Sequence, residues 1–275
     1  MFATRFAPSP SGLLHRGHAY SALTAYAAAR EAGGRFVLRI EDIDATRCRR
    51  EFEAAIYQDL AWLGLSWETP VRRQSDHLDD YRAALVRLEA DGLLYRCFRT
   101  RREVAEAIAS APHGAMDMFR GGPLPPDEEA RRLAAGEPFA WRLSLDAAAG
   151  KLGGFGGLNF LEAGAGTIPA RPELGGDVVL ARKDVGVAYQ LAVVVDDALQ
   201  GITQVIRGRD LLEATHVQRL LQALLGLPAP TYRHHPLLTG PDGRRYAKRD
   251  RAETLASLRE RGMSAAQLRE ELGFG

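Results

Sequence analysis

Residues 1–40 confine this chain to a small set of folds. A short strand pattern, Phe2–Ala7, leads into a loop of proline, serine and glycine, then a helical stretch that begins near Gly17 and ends before Gly33-Gly34, then an apolar strand, Arg35–Ile40. Strand, helix and strand in that order make a βαβ unit, in which the helix returns the chain so that both strands run parallel in one sheet. Sheets of this kind bind nucleotides and other ligands beyond the carboxyl ends of their strands. The loop between Phe6 and Gly17 lies where such a site is built.

Two amphipathic helices are expected next, Arg49–Leu65 with Phe52, Ile56, Leu60 and Leu63 on one face, and another around Leu78–Glu89. Between Gly92 and Gly175 the texture changes to glycine- and proline-rich segments (GGPLPP at 121–126, GKLGGFGGLNF at 150–160) with short strand-like runs such as Ala140–Leu145. An inserted subdomain is the expectation there. Periodicity then returns as a buried strand Leu191–Asp196, a second strand Ile202–Ile206 and a long helix Leu211–Leu225. A polar loop, TGPDGRRYAKRD, follows His234-His235-Pro236, and helices near Glu253–Glu260 and Ser264–Leu272 close the chain. The expected fold is α/β, a Rossmann-type parallel sheet with an inserted α+β subdomain and a short helical C-terminal segment. Its divisions are 1–94, 95–185, 186–235 and 236–275.

At 275 residues, 46% hydrophobic and 26% charged, the chain can bury a sizeable core, which excludes a disordered chain. No apolar run approaches the roughly 18 residues of a membrane span, and the first ten residues lack the basic head and apolar core of a leader, so a cytoplasmic protein is expected. Cys48 and Cys97 are far apart without CxxC partners and read as free thiols. A net charge of +1 argues against indiscriminate nucleic-acid binding but leaves room for a local basic face. Only Lys151, Lys183 and Lys248 stand among the 36 basic residues, so the other 33 are arginine and each lysine is unusual.

The segment from Arg5 to His18, RFAPSPSGLLHRGH, carries the first chemistry. A helix start offers unpaired amides and the positive end of a dipole to a phosphate, and Gly12 and Gly17 let a ligand approach the backbone. His15 and His18, one turn apart, can donate to phosphate oxygens as charge builds on them. Taken alone, the pair also reads as two polar residues on an exposed first turn. A metal site lacks an acidic or cysteine ligand nearby.

In four places the chain resembles the class I glutamyl- and glutaminyl-tRNA synthetases. Pro8–Gly12 with His15-Arg16-Gly17-His18 is similar to their PSPTG and HIGH signature, RIEDIDATR at 39–47 to their R-(I/V)-E-D-T-D segment, residues 188–212 to their Y-x-x-A-x-V-V-D-D…V-I-R-G segment, and Tyr246–Asp250 stands where they carry KMSKS. The resemblance implies that Pro8, Gly12, His15, Gly17, His18 and Lys248 bind ATP, His15, His18 and Lys248 being catalytic. It also implies that Arg5, Ala7, Ser9, Glu41, Tyr189 and Arg207 bind L-glutamate. Glu41 would read the amino group, while Arg5 and Arg207 would pair with the side-chain carboxylate, which a neutral glutamine could not compensate. Asp42 and Asp44 are expected to cap the loop or pair with Arg39 and Arg47, and a structural pairing of Arg207 with Asp196 or Asp197 stays open.

Two departures narrow the resemblance. Only about 25 residues follow the KMSKS-like loop, where the tRNA-charging enzymes carry an anticodon-binding region. That architecture resembles the branch of the family that activates glutamate with Mg-ATP, without tRNA, and transfers it to the queuosine base of tRNA(Asp). Val193, where the charging enzymes usually have asparagine, points the same way. The family's zinc ligands are also incomplete: Cys97 remains, but Arg99 and Phe119 stand at other ligand positions, so no structural zinc is expected. The insertion 95–185 corresponds to the family's acceptor-binding region, and a monomer is expected. Esterification of a tRNA 3′ end and an inactive tRNA-binding paralogue stay open as alternatives.

Overall fold

A computed structural model describes residues 1–109, 118–182, 186–238 and 253–275. The first strand, β1 (Ala3–Phe6), the crossing helix α1 (Arg16–Glu31) and the second strand β2 (Arg35–Ile40) form the expected unit, with Ala3 opposite Arg35 and Phe6 opposite Leu38 in parallel register. The turn into β2 needs glycine, because a Cβ on Gly34 would lie 2.5 Å from the Phe2 carbonyl oxygen. A second crossing, α2 (Arg50–Trp62), leads to a short parallel strand β3 (Arg72–Arg73), and α3 (Leu78–Ala90) follows.

The next stretch holds β4 (Leu94–Cys97), α4 (Arg101–Ala109), α5 (Pro126–Ala134), β5 (Ala140–Leu143), α6 (Leu145–Leu152), β6 (Asn159–Glu162), β7 (Gly166–Pro169), β8 (Val179–Arg182) and β9 (Gly186–Val187). Strands β4, β5, β8 and β9 form an antiparallel sheet in that order. The strand-like run expected to Leu145 stops at Leu143, because the Ser144 hydroxyl accepts the amide of Ala147 and starts α6.

The chain continues through α7 (Tyr189–Leu199), β10 (Gln204–Gly208), α8 (Leu212–Leu225), β11 (Thr231–His235), α9 (Leu255–Glu260) and α10 (Ala265–Glu271). Strands β10 and β11 are parallel, and the β6–β7 hairpin joins them through a parallel contact of Tyr232 with Glu162. Reciprocal bonds at 2.9 Å, Thr203 amide to Ala3 carbonyl and Ala3 amide to Thr203 hydroxyl, stitch the first sheet to this one.

One expectation is overturned. The run Leu191–Asp196, read as a strand, is the middle of helix α7. Every residue from Leu191 to Asp197 is buried, and a segment buried all round shows neither a two-residue nor a 3.6-residue period. Three consecutive valines favour a strand locally, and packing between α3 and α8 decides for a helix. The helix sets Tyr189 and Asp196 two turns apart along one side.

Among the described residues two large apolar cores result, one around α3, α7 and α8 and the other between α1, β2 and α2, with a small third cluster of Tyr95, Cys97 and Phe119. The closing helices belong to the second, where Leu255, Leu258 and Leu268 are fully buried. Burial of each contributes about 1.5–3 kcal/mol. Arg259 adds a 2.9 Å bond to the buried Asp59. None of the helices among the described residues is long and apolar enough to cross a membrane.

Candidate active site

The loop between β1 and α1 is fastened to the loop after β2 by two backbone bonds, Glu41 amide to Pro8 carbonyl at 3.0 Å and Arg49 amide to Pro10 carbonyl at 2.9 Å. Between these loops and the ends of α7 and β10 lies a cleft of about 710 Å³. Arg5, Ala7, Pro8, Ser9, His15, Gly17, His18, Glu41, Tyr189 and Arg207 all line it. Gly12 is not among its wall residues, and Lys248 falls outside the described residues. The open mouth sits beyond the carboxyl ends of β1, β2 and β10, as the parallel topology requires.

His15 is the N-cap of α1. Its Nδ1 accepts the Gly17 amide at 3.1 Å, and His18 Nδ1 accepts the His15 amide at 3.1 Å, a reciprocal capping box built from imidazoles. The amides of His18 and Ala19 bond the His15 carbonyl, so Gly17, His18 and Ala19 do not present the unpaired amides expected at this helix start. Because both Nδ1 atoms accept, the neutral rings carry their proton on Nε2. The ring centroids are 3.8 Å apart. A Cβ on Gly17 would meet the His15 ring at 3.0 Å from Cε1, so glycine at this position makes room for the cap itself.

Arg207 is buried, and all its polar contacts among the described residues are neutral. Its Nε donates to His234 Nε2 at 3.2 Å, one terminal nitrogen serves Thr215 and Gln218 at 2.8 Å and the Leu211 carbonyl at 3.2 Å, and the other lies 3.5 Å from the Tyr189 hydroxyl. The pairing with Asp196 or Asp197 that the sequence left open does not occur. Arg5 is held by Nε alone, 3.0 Å from Asp197, and its terminal nitrogens have no protein partner among the described residues. Two guanidinium groups thus face one cleft with donor capacity to spare, an arrangement suited to an anionic ligand.

Glu41 is buried at the end of β2, with Oε1 accepting from Arg39 Nε at 3.3 Å and from the adjacent terminal nitrogen at 3.0 Å. Burial raises its carboxyl above 4.5 despite the opposing pull of Arg39 and Arg5. Asp197 shows the reverse outcome. Burial pushes it up, but Arg5 and Arg39 outweigh that and hold it below 3.8. Tyr189 is raised above 10.0 by burial, against Arg207.

Sequence reasoning missed the side chains that set these poses. Arg39, fully buried, links Glu41, Asp197 and Gln200. His234 accepts from Arg207 on one nitrogen and bonds Glu162 at 2.8 Å through the other. His235 bonds Ser21 at 2.6 Å and the Pro236 carbonyl at 2.9 Å. The signal available was a His-His pair closing the short strand TYRHH just before Pro236. Asp44 bonds Arg47 and Thr46 as expected, whereas Asp42 bonds Arg73 and Ser75 rather than Arg39, because Arg39 is turned inward to Asp197.

At the family's zinc position the residues do not fit a metal. Phe119 is buried beside Tyr95 and Cys97, with Arg142 over its ring at 4.4 Å and Arg99 at 5.7 Å. Asp177 pins the surrounding loop, accepting from Tyr95 at 2.9 Å and from the Gly121 amide at 2.8 Å. The described residues contain no cluster of three or more His, Cys, Asp or Glu able to hold a metal ion.

Parallel strands, a capped imidazole pair and two buried guanidinium groups around one cleft make an α/β fold with a site suited to an anionic ligand, and the family match below makes the chain a ligase. Residues 1–272 match the family described as tRNA synthetases class I (E and Q), catalytic domain, and the chain belongs to that family. It is 47% identical to the glutamyl-Q tRNA(Asp) synthetase of Rhodobacter capsulatus, over 98% of this chain and 99% of that one. With the glutamyl-Q tRNA(Asp) synthetase of Symbiobacterium thermophilum it shares 45% identity over 96% of this chain and 83% of that one. The crystal structure of a glutamate tRNA ligase from Elizabethkingia meningosepticum in complex with its amino acid superposes with a TM-score of 0.74 at 27% identity, covering 95% of this chain. The chain spans 53% of the length of that solved structure.

Proposed function

We propose that the chain activates L-glutamate with Mg-ATP in the absence of tRNA and transfers the glutamyl group to the queuosine base of tRNA(Asp). The observation that carries the glutamate assignment is the buried Arg207, which has no carboxylate partner among the described residues and shares the cleft with Arg5. A dicarboxylic amino acid supplies the missing charge, and glutamine would leave it unmet. A carboxylate at the cleft wall, Glu41, with its Oε1 held by Arg39, supports a contact to the ammonium.

Activation joins a glutamate α-carboxylate oxygen to the α-phosphorus of ATP, and the bond to the departing pyrophosphate breaks. Catalysis then rests on positioning and on donors aimed at phosphate charge. His15 and His18 are suited to this through Nε2, since both Nδ1 atoms are occupied by the cap. The family motif adds Lys248, and Mg²⁺ would balance the triphosphate. The names of the two relatives support queuosine as the acceptor.

Glutamate-dependent ATP–pyrophosphate exchange without tRNA tests the first step. Labelled glutamate followed by mass spectrometry of tRNA nucleosides tests the second, with label expected on queuosine. Label on a 3′ adenosine, or no exchange, would overturn the reading.

A further inference from the structure

Arg207 and His234 are register partners on the parallel strands β10 and β11, and their side chains meet on one face of the sheet. The guanidinium is held along two of its edges. Nε donates to His234 Nε2 at 3.2 Å, and Nη2 serves Thr215 and Gln218 at 2.8 Å. Nη1, whose printed contact is the Tyr189 hydroxyl at 3.5 Å, keeps donor capacity on the side of the cleft. Because the group is a rigid planar fork, fixing Nε and Nη2 aims Nη1.

The hold on Nε depends on where the His234 proton sits. A guanidinium N–H only donates, so His234 Nε2 must accept, and the one proton of the neutral ring is then on Nδ1. That is the opposite tautomer from the one His15 and His18 adopt. The Nδ1 proton goes to Glu162 Oε2 at 2.8 Å, while Glu162 Oε1 accepts the backbone amide of the same histidine at 2.7 Å. Among the described residues no other carboxylate bonds His234. A proton on Nε2 would set donor against donor at the Arg207 contact. The His234 side chain is 2% exposed and stacks parallel to Tyr232, with ring centroids 5.9 Å apart, so bulk water offers no substitute partner. Glu162 itself ends β6 of the inserted stretch, and the hairpin's register contact with β11 falls at that residue, opposite Tyr232.

We propose that Glu162 is a positioning residue for amino-acid selection: it fixes the His234 proton on Nδ1, keeps Nε2 as the acceptor that holds Arg207, and so couples the inserted hairpin to the glutamate pocket. The inference rests on the glutamate reading above. Glu162 does not line the cleft, so its effect on substrate passes entirely through His234 and Arg207.

The test uses the full chain at neutral pH with the variants Glu162→Ala and Glu162→Gln, in tRNA-free, glutamate-dependent pyrophosphate exchange. Imidazole nitrogen NMR locates the His234 proton in each. Glu162→Ala removes both acceptors and is expected to raise KM for glutamate about tenfold or more, with kcat and KM for ATP within about twofold. In Glu162→Gln, which keeps the shape of the side chain, KM is expected to follow the proton: raised where the amide NH₂ faces the ring and drives the proton to Nε2, unaltered where the proton stays on Nδ1. A proton on Nε2 in the unaltered chain would overturn the proposal, as would a KM in Glu162→Gln that does not follow the proton. If Glu162 merely fastens the hairpin, Glu162→Ala lowers the thermal midpoint and leaves KM for glutamate unmoved, which overturns this inference alone. An unaltered chain without glutamate-dependent exchange would overturn the glutamate reading and the coupling with it.

Discussion

Replacing Arg5 by methionine separates what holds the substrate from what holds the protein. Arg5 Nε bonds Asp197 at 3.0 Å, but Asp197 also receives Arg39 at 2.8 Å, so its buried charge keeps one partner after the substitution. The stability loss is therefore limited to about 1–3 kcal/mol, a fall of several degrees in the thermal midpoint for a chain of this size. On the proposed assignment of Arg5 to the glutamate side chain, the substrate loses a charge-assisted bond worth about 1.5–3 kcal/mol, or about 10- to 150-fold in kcat/KM for glutamate. The side-chain carboxylate is remote from the reacting phosphorus and is bound alike in ground and transition states. The loss should consequently appear in KM for glutamate, with kcat and KM for ATP little changed. Pyrophosphate-exchange kinetics on the folded variant supply the measurement. A kcat defect at unchanged KM, or a change below about twofold, would refute the guanidinium assignment.

Gly17→Ala should displace the His15 ring that a new Cβ meets at 3.0 Å, costing about 1 kcal/mol through the helix cap and lowering exchange about 10- to 100-fold; an unaltered rate would sink this account. The acid limb of kcat/KM for glutamate should titrate above 4.5, where burial places Glu41 against the pull of Arg39 and Arg5, and Glu41→Gln should erase that limb. Three buried histidines are held below 6.5. Burial lowers His234 against its Glu162 bond, with Arg207 adding to the lowering, while burial lowers His216 with help from Arg171 and lowers His235 as well. The unfolded chain binds their protons first, so their contribution is complete above 6.5 and is lost as pH falls through the folded values. The thermal midpoint should drop between pH 7 and about 5, and a flat profile would contradict the shifts.

Much of this was readable in order along the chain. The βαβ opening, α1, α2, α3 and α8 followed from periodicity and glycine punctuation, and local motifs named ten residues that now line one cleft. Such features are local: a cap lies within four residues of what it caps, and an amphipathic stripe repeats within a turn. Among the elements, what failed was the Leu191–Asp196 run, because complete burial erases the period that tells a helix from a strand.

The sequence by itself therefore determined the parallel architecture, the imidazole pair at the first helix and which charged residues gather around one cleft. Only the tertiary structure decided what each charge faces. Arg5 takes Asp197, Asp42 takes Arg73, and Arg207 is left with neutral acceptors, although all three arginines had carboxylates to choose from in the linear order. Ion pairing in a buried site depends on distances of about 3 Å between strands and helices far apart in the chain, and no local pattern encodes them.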